Sequence, residues 1–393
     1  MSAGELDLDG PARLLDRAEV GRLLQALAAP AEETRIVGGA VRNALLGRAV
    51  HEIDLATTAP PQDTMRRARA AGLKAVPTGI EHGTVTVIVH GTPFEVTTLR
   101  EDVETDGRRA VVRFGRSFEQ DALRRDFTIN ALSLGPDGQV RDYTGGVPDL
   151  AAGRVRFIGD PRQRIREDFL RVLRFFRFSA DYAEGPLDPE GLDAAIRERD
   201  GLSILSRERI RAELLKLLSA RRAAEVVATL SGTGLLLRIA GEVPELGRLR
   251  RASSLDAVGR LAALHVRTEE DAERLRDRLR LSNAEHDRLA TFARLLGRLL
   301  SRGVLDRAEA RRIAALHGAG PLVEIVSVLA GEPRPVVSED GQVQVEAFRA
   351  GAPAPAFRLT GRDLIGEGVP PGPQLGRRLA ELKSAWLAEG CPD

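Results

Sequence analysis

Glu52 and Asp54, in the run His51-Glu52-Ile53-Asp54-Leu55, are the first places where this chain could do chemistry. Residues i and i+2 of an extended segment point to one face, so the pair presents two carboxylates together. That suits Mg²⁺, which takes oxygen ligands and is usually held by one or two carboxylates plus substrate phosphates. Glu95, in Pro93-Phe94-Glu95-Val96, offers a third carboxylate from a neighbouring strand. Upstream, Val37-Gly38-Gly39-Ala40-Val41-Arg42 reads as strand, glycine turn and helix. The N–H groups and dipole of such a helix start favour an anion, and Arg42 would face a phosphate. Downstream, Arg124 and Arg125 could reach a triphosphate, with Asp126 and Asn130 either holding a sugar or orienting the arginines. Each cluster alone has a plainer reading: an ordinary glycine turn, an exposed strand face, an edge-strand charge at Glu95, capping charges at a helix end.

These residues must be positioned by regular elements. Arg35–Val37 reads as a strand, Ala40–Leu46 as a helix, Ile53–Thr57 as a second strand and Pro60–Ala71 as a helix started by proline and stopped by Gly72. Thr84–His90 and Phe94–Leu99 alternate around Gly91, which predicts a hairpin; Ile129–Leu134 and Gln139–Tyr143 predict another. Before them, the leucines of 13–28 have helical spacing. After Gly146 the β texture fades. Ile165–Phe178, Arg207–Leu218, Asn283–Leu300 and Leu305–His317 are among the amphipathic helices expected there, with a loop over Gly331–Val343. The fold class predicted is α+β: a head with a small mixed β-sheet, then an all-α neck, body and tail. The expected divisions are 1–30 (N-terminal helical extension), 31–146 (head), 147–218 (neck) and 219–393 (body and tail).

Composition excludes several classes. The 393 residues carry 58 basic and 57 acidic side chains, so this is neither a uniformly basic nucleic-acid coat nor an acidic disordered chain. Only Lys74, Lys216 and Lys383 are lysines; nearly every cation is an arginine, suited to forked phosphate contacts. Aromatics at 4% argue against RNA binding by stacking platforms alone. One cysteine, Cys391, excludes an internal disulfide and a Cys-based zinc site. No apolar run approaches the length of a membrane span. The acidic start MSAGELDLDGP predicts neither secretory signal nor transit peptide, so a cytoplasmic location is expected.

Taken in order, GGAVRNALLGR, EIDLAT, PFEVTTLR, RRDFTINAL, YTGGVPDL, RVRFIGDP, REDFLRVLRFFRF and SRERIRAELLKLL, from about Thr34 to Leu218, resemble the class II tRNA nucleotidyltransferases (CCA-adding enzymes) and the bacterial poly(A) polymerases of the same superfamily. The resemblance implies a polymerase-beta-like nucleotidyltransferase head. It implies catalysis with two Mg²⁺ ions on Glu52 and Asp54, Glu95 nearby, and CTP and ATP added to a tRNA acceptor end. It implies that Gly38, Gly39 and Arg42 bind phosphates, and that Arg125, Asp126 and Asn130 contact the nucleotide's sugar and phosphates. Asp168 and Arg171, expected at i and i+3 of one helix with Arg174 a turn on, would read the base without a template; their plainer reading is an intrahelical salt bridge. The eight arginines of 154–177 would face the acceptor stem, and a flexible loop over Glu101–Ser117 would support the switch from C to A.

Two positions depart from the family pattern. Glu52 stands where aspartate is usual, and its extra methylene moves a bound ion or the backbone by about 1 Å, a displacement that can cost ~100-fold in rate. Asn43 stands where aspartate is usual and loses a charge. The competing readings are a poly(A) polymerase and a catalytically impaired RNA-binding relative. A His-dependent phosphohydrolase tail has only the pair His286-Asp287 to rest on, which reads better as surface.

Overall fold

The computed structural model describes residues 5–101 and 113–392, in two compact units, Met1–Ile204 and Leu205–Asp393. The division falls inside the stretch read as a neck. The expected flexible loop lies largely outside the described residues.

The first unit opens with α1 (Ala12–Leu15) and α2 (Ala18–Leu27), which bury Leu14, Val20, Leu23 and Leu27. The strands β1 (Thr34–Val37), β2 (Asp54–Thr57), β3 (Lys74–Gly79), β4 (Thr84–Val89) and β5 (Thr92–Thr98) follow, with α3 (Gly39–Leu45) and α4 (Pro61–Ala70) between them. Arg100–Glu101 (β6) and Arg113–Phe114 (β7) pair with each other. Then come α5 (Phe118–Leu123), β8 (Ser133–Leu134), β9 (Val140–Arg141) and α6 (Gly146–Ala151). The mixed sheet runs β3-β4-β5-β2-β1-β8-β9, with β2 and β5 its parallel pair. All four residues of central β1 are buried, as expected of a strand covered on both faces. β4 alternates, with Val85, Val87 and Val89 inward, and α4 packs against it. The β4–β5 hairpin closes through His90 and Gly91, both at positive φ, the primed turn that matches strand twist.

The structure corrects two expectations in this unit and adds a strand for which none was made. Lys74–Gly79 is an edge strand that its proline and charge had hidden. The strand expected over Ile129–Leu134 shrinks to β8, because Thr128–Asn130 turns as a 3₁₀ segment. Gly146 packs so tightly on the Thr128 carbonyl that a Cβ there would lie 2.3 Å from it. The helix expected over Ile165–Phe178 is two helices, α7 (Pro161–Glu167) and α8 (Leu170–Tyr182). Asp168 is extended (φ −154°, ψ 106°). Its Oδ1 accepts from Leu170 N–H at 3.1 Å and its carbonyl from Arg171 N–H at 2.9 Å. A short acidic side chain here competes with the helix ladder and starts the next helix.

α8 holds this unit together. Phe127, Phe157, Phe175 and Phe178 form one ring cluster, with centroids 4.8–6.5 Å apart, and α9 (Pro189–Arg197) buries Gly191 against Phe175. The second unit is helical except for the two-residue pairing of Val304–Leu305 with Val336–Val337. Ser206, Asp256, Ser282, Asp306 and Ser338 each cap a helix start, worth about 1 kcal/mol apiece. The Ser338 cap starts the helix Glu339–Arg349, so the loop expected over Gly331–Val343 ends five residues early. His286 is buried rather than on the surface, its Nε2 2.9 Å from Glu273.

Candidate active site

The carboxylates come together as the i, i+2 argument requires. Ile53 and Leu55 point into the core while Glu52 and Asp54 face outward. Glu52 is not on the strand itself, since β2 begins at Asp54. The parallel register Leu55↔Val96 brings Asp54 alongside Glu95. The three charges are felt: partial burial, then Glu95, then Glu52 push the Asp54 carboxyl above its ordinary range, and only Arg125 pulls it down. Like charges held together in this way form a site whose repulsion a divalent cation relieves. Among the described residues no group of three or more His, Cys, Asp or Glu is placed to hold a metal ion by itself, Glu52, Asp54 and Glu95 included. An ion here would complete its shell with water and substrate phosphate, as Mg²⁺ prefers.

The glycine turn sits beside these carboxylates, because Val37 pairs with Asp54 across β1 and β2. Gly38 has φ 70° and ψ −122°, a region open essentially to glycine, and a Cβ there would lie 3.1 Å from Arg125 Nη1. Gly38→Ala should therefore destabilise the protein by ~1–3 kcal/mol. A thermal melt coincident with wild type would contradict that geometry.

Arg42 turns inward, to partners within the protein. It is 6% exposed, and its guanidinium donates to Asn130 Oδ1, to the Tyr182 hydroxyl at 2.7 Å and to Asn43 Oδ1 at 3.1 and 3.2 Å. Its Cζ lies 4.0 Å from the Tyr182 ring centroid. Asp126 and Asn130 are likewise spent inside. Asp126 Oδ1 accepts from Phe127 N–H at 2.9 Å and Asn130 Nδ2 at 3.0 Å, and Oδ2 accepts from Arg174 Nε at 2.7 Å. The Asp126 and Asn130 side chains orient Arg174 and Arg42, and so tie α3 to α8, rather than Arg124 and Arg125; of Asn130, Arg125 meets the backbone carbonyl, at 3.3 Å. Asp121, 3% exposed, takes Arg124 on one oxygen and Arg125 on the other. Sequence reasoning missed it, although the Asp121, Arg124, Arg125 spacing of i, i+3, i+4 was a readable signal. Nothing in the sequence pointed to Tyr182, which meets Arg42 from 140 residues away.

Asp168 and Arg171 do not share a helix face, because Asp168 lies in the break before α8. Arg171 Nη1 pairs with Glu167 and with the Arg164 carbonyl at 2.9 Å, and its Nη2 makes only a 3.4 Å contact, to the Arg124 carbonyl. The arginine-rich stretch is partly neutralised in pairs: Arg154 and Arg156 on buried Asp149, Arg162 and Arg166 on Glu198, Arg164 and Arg171 on Glu167, Arg174 on Asp126.

Comparison with known proteins places this arrangement. Residues 34–156 match the family "Poly A polymerase head domain" and residues 186–246 match "Probable RNA and SrmB- binding site of polymerase A". The mitochondrial CCA tRNA nucleotidyltransferase 1 of Mus musculus is 32% identical over 94% of this chain and 86% of its own length. That of Danio rerio is 42% identical over 64% of this chain and 61% of its own length. The CCA-adding enzyme of Levilactobacillus brevis is 33% identical over 92% and 91%. Among solved structures, the Bacillus stearothermophilus CCA-adding enzyme in complex with CTP superposes with a TM-score of 0.73, at 28% identity, covering 94% of this chain and 92% of that one. With the glycine turn, the carboxylate rank and the RRDFTINAL segment gathered on one such head, this chain belongs to the family of CCA tRNA nucleotidyltransferases, the CCA-adding enzymes.

Proposed function

We propose that this protein adds C, C and A to the 3′ end of tRNA from CTP and ATP, without a nucleic-acid template. The observation that carries the reading is the rank Glu52, Asp54 and Glu95 beside Arg125 and the Gly38–Gly39 turn. In the reaction the RNA 3′-hydroxyl oxygen attacks the α-phosphorus of the nucleotide, the bond to the bridging oxygen breaks, and pyrophosphate leaves. Glu52 and Asp54, with Glu95 adjacent, would hold Mg²⁺. Bound Mg²⁺ supplies Lewis-acid stabilisation of the attacking oxygen and of the charge on the phosphate.

The chain's own residues do the positioning. Arg125, braced by Asp121, offsets triphosphate charge over the turn. The strut Arg42–Asn130–Asp126–Arg174 fixes α8 relative to that turn. Asp168, in the break before α8, and Arg171, in its first turn, read the base once Arg171 exchanges Glu167 for the ligand. Cytosine and adenine each offer an amino donor beside a ring-nitrogen acceptor, so a carboxylate can accept while an arginine donates. Guanine and uracil put a carbonyl where the amino group should be, setting oxygen against carboxylate at a cost of ~1–3 kcal/mol. A cytoplasmic setting fits the single cysteine, Cys391, which has no disulfide, and no helix among the described residues is long and apolar enough to cross a membrane.

The test is incubation of tRNA lacking its 3′ end with CTP and ATP. Three added nucleotides and a stop are expected. A long A ladder would mark a poly(A) polymerase, and tRNA binding without incorporation would mark a binding relative. In the same assay Glu52→Asp should incorporate faster than wild type, because the shorter carboxylate lets the ion sit back by about 1 Å. An unchanged rate would remove position 52 from the metal site.

A further inference from the structure

A cavity of about 420 Å³ opens in the first unit next to Arg171, walled by Arg100, Gln120, Arg124, Gln163, Arg164 and Glu167, with one leucine. Its charge is unbalanced. Asp121 is shared by Arg124 and Arg125, and Glu167 by Arg164 and Arg171. Arg100 gives one nitrogen to the His82 carbonyl, and its Nε is buried with no hydrogen-bond partner. Three arginines, Arg100, Arg124 and Arg164, thus line the cavity against one carboxylate, Glu167. Burial and the nearby Arg124 push the Arg100 pKa down, with Asp121 opposing, as expected where positive charge lacks an anion. Gln120 and Gln163 add amide donors, and no aromatic ring lines the cavity, so it has no platform for a base.

We propose that this cavity is a second anion subsite, separate from the Gly38–Gly39 turn, that takes a phosphate group. Forked guanidinium donors with flanking amides match tetrahedral phosphate oxygens. A phosphate there draws Arg164 from Glu167 and leaves that carboxylate to Arg171. The phosphate comes either from the RNA strand or from free phosphate. The RNA source rests on the proposed function, whereas the anion site stands without it.

The test is calorimetric titration of the full chain with inorganic phosphate, at constant ionic strength and without divalent ions or nucleotide. Wild type, Gln163→Glu and Arg100→Gln are compared, with Arg125→Gln reporting on phosphate bound at the glycine turn. Saturable binding is expected in wild type and in Arg125→Gln. Gln163→Glu should weaken it by about 10-fold or more, by setting a carboxylate against the anion, with an unchanged melt because Gln163 is exposed. Arg100→Gln should weaken it similarly. Displacement of the phosphate by tRNA lacking its 3′ end identifies the RNA strand as the source; no displacement identifies free phosphate. Equal affinity in wild type, Gln163→Glu and Arg100→Gln, or no saturable binding, overturns the site. Incorporation by wild type is scored separately, so failure here is distinct from failure of the proposed activity.

Discussion

Asp54→Asn should reduce nucleotide incorporation by at least ~10³-fold, roughly 4 kcal/mol of transition-state stabilisation, with both CTP and ATP. The amide keeps the size of the carboxylate and removes the charge that would hold Mg²⁺. In wild type that charge is crowded, since burial, Glu95 and Glu52 all push the Asp54 carboxyl toward its neutral form. Removing it therefore relieves repulsion. In buffer containing a chelator, the variant should melt no lower than wild type, and tRNA affinity should hold. Single-turnover incorporation, a melt and a binding isotherm make the check. A variant within 10-fold of wild-type activity would remove Asp54 from the chemistry. A melt lowered by several degrees would make it a structural residue.

Asp126→Ala should cost stability on a comparable scale. Asp126 is 6% exposed and joins Arg174 of α8 to Asn130 and, through Asn130, to Arg42. Deleting one partner of a buried ion pair leaves the other uncompensated, at about 3–5 kcal/mol, or a fall in Tm on the order of 10 °C for a unit of this size. The contribution is pH-dependent. Burial alone would raise the Asp126 pKa, but Arg174, Asn130 and the Phe127 N–H outweigh it, so the folded value lies below the ordinary 3.8. A depressed folded pKa stabilises above the unfolded value and loses that contribution as pH falls through the folded one. The Tm difference between wild type and variant should be full at neutral pH and narrow below about pH 4. A difference constant from pH 7 to pH 3 would show that Asp126 acts through packing alone.

The parts of the site that lie close in sequence were readable without coordinates. The outward alternation of Glu52 and Asp54 around Ile53 follows from strand geometry, and the β4–β5 hairpin from its alternation around Gly91. The glycine turn was readable because a strand followed by two glycines and an apolar helix admits few other paths. The break at Asp168 was not: an apolar periodicity continuous across Ile165–Phe178 suggests one helix, and the extended backbone at Asp168, whose side chain accepts from Leu170 N–H, interrupts it.

The roles of Arg42, Asp126 and Asn130 divided in the same way. Their sequence neighbourhood said that they belong to a phosphate-handling head; whether each faces a ligand or a neighbour depends on what α8 brings to them. Tyr182 and Arg174 reach Arg42 and Asp126 across 140 and 48 residues, and no local pattern encodes such a meeting. Residue order alone determined the chemistry available, namely acidic ligands, glycine-lined phosphate contacts and arginine forks, because residue type and short-range backbone geometry suffice for these. Tertiary structure decided which of those groups are spent as internal struts and which remain outward, because burial and pairing are properties of surfaces that meet only after the chain has folded.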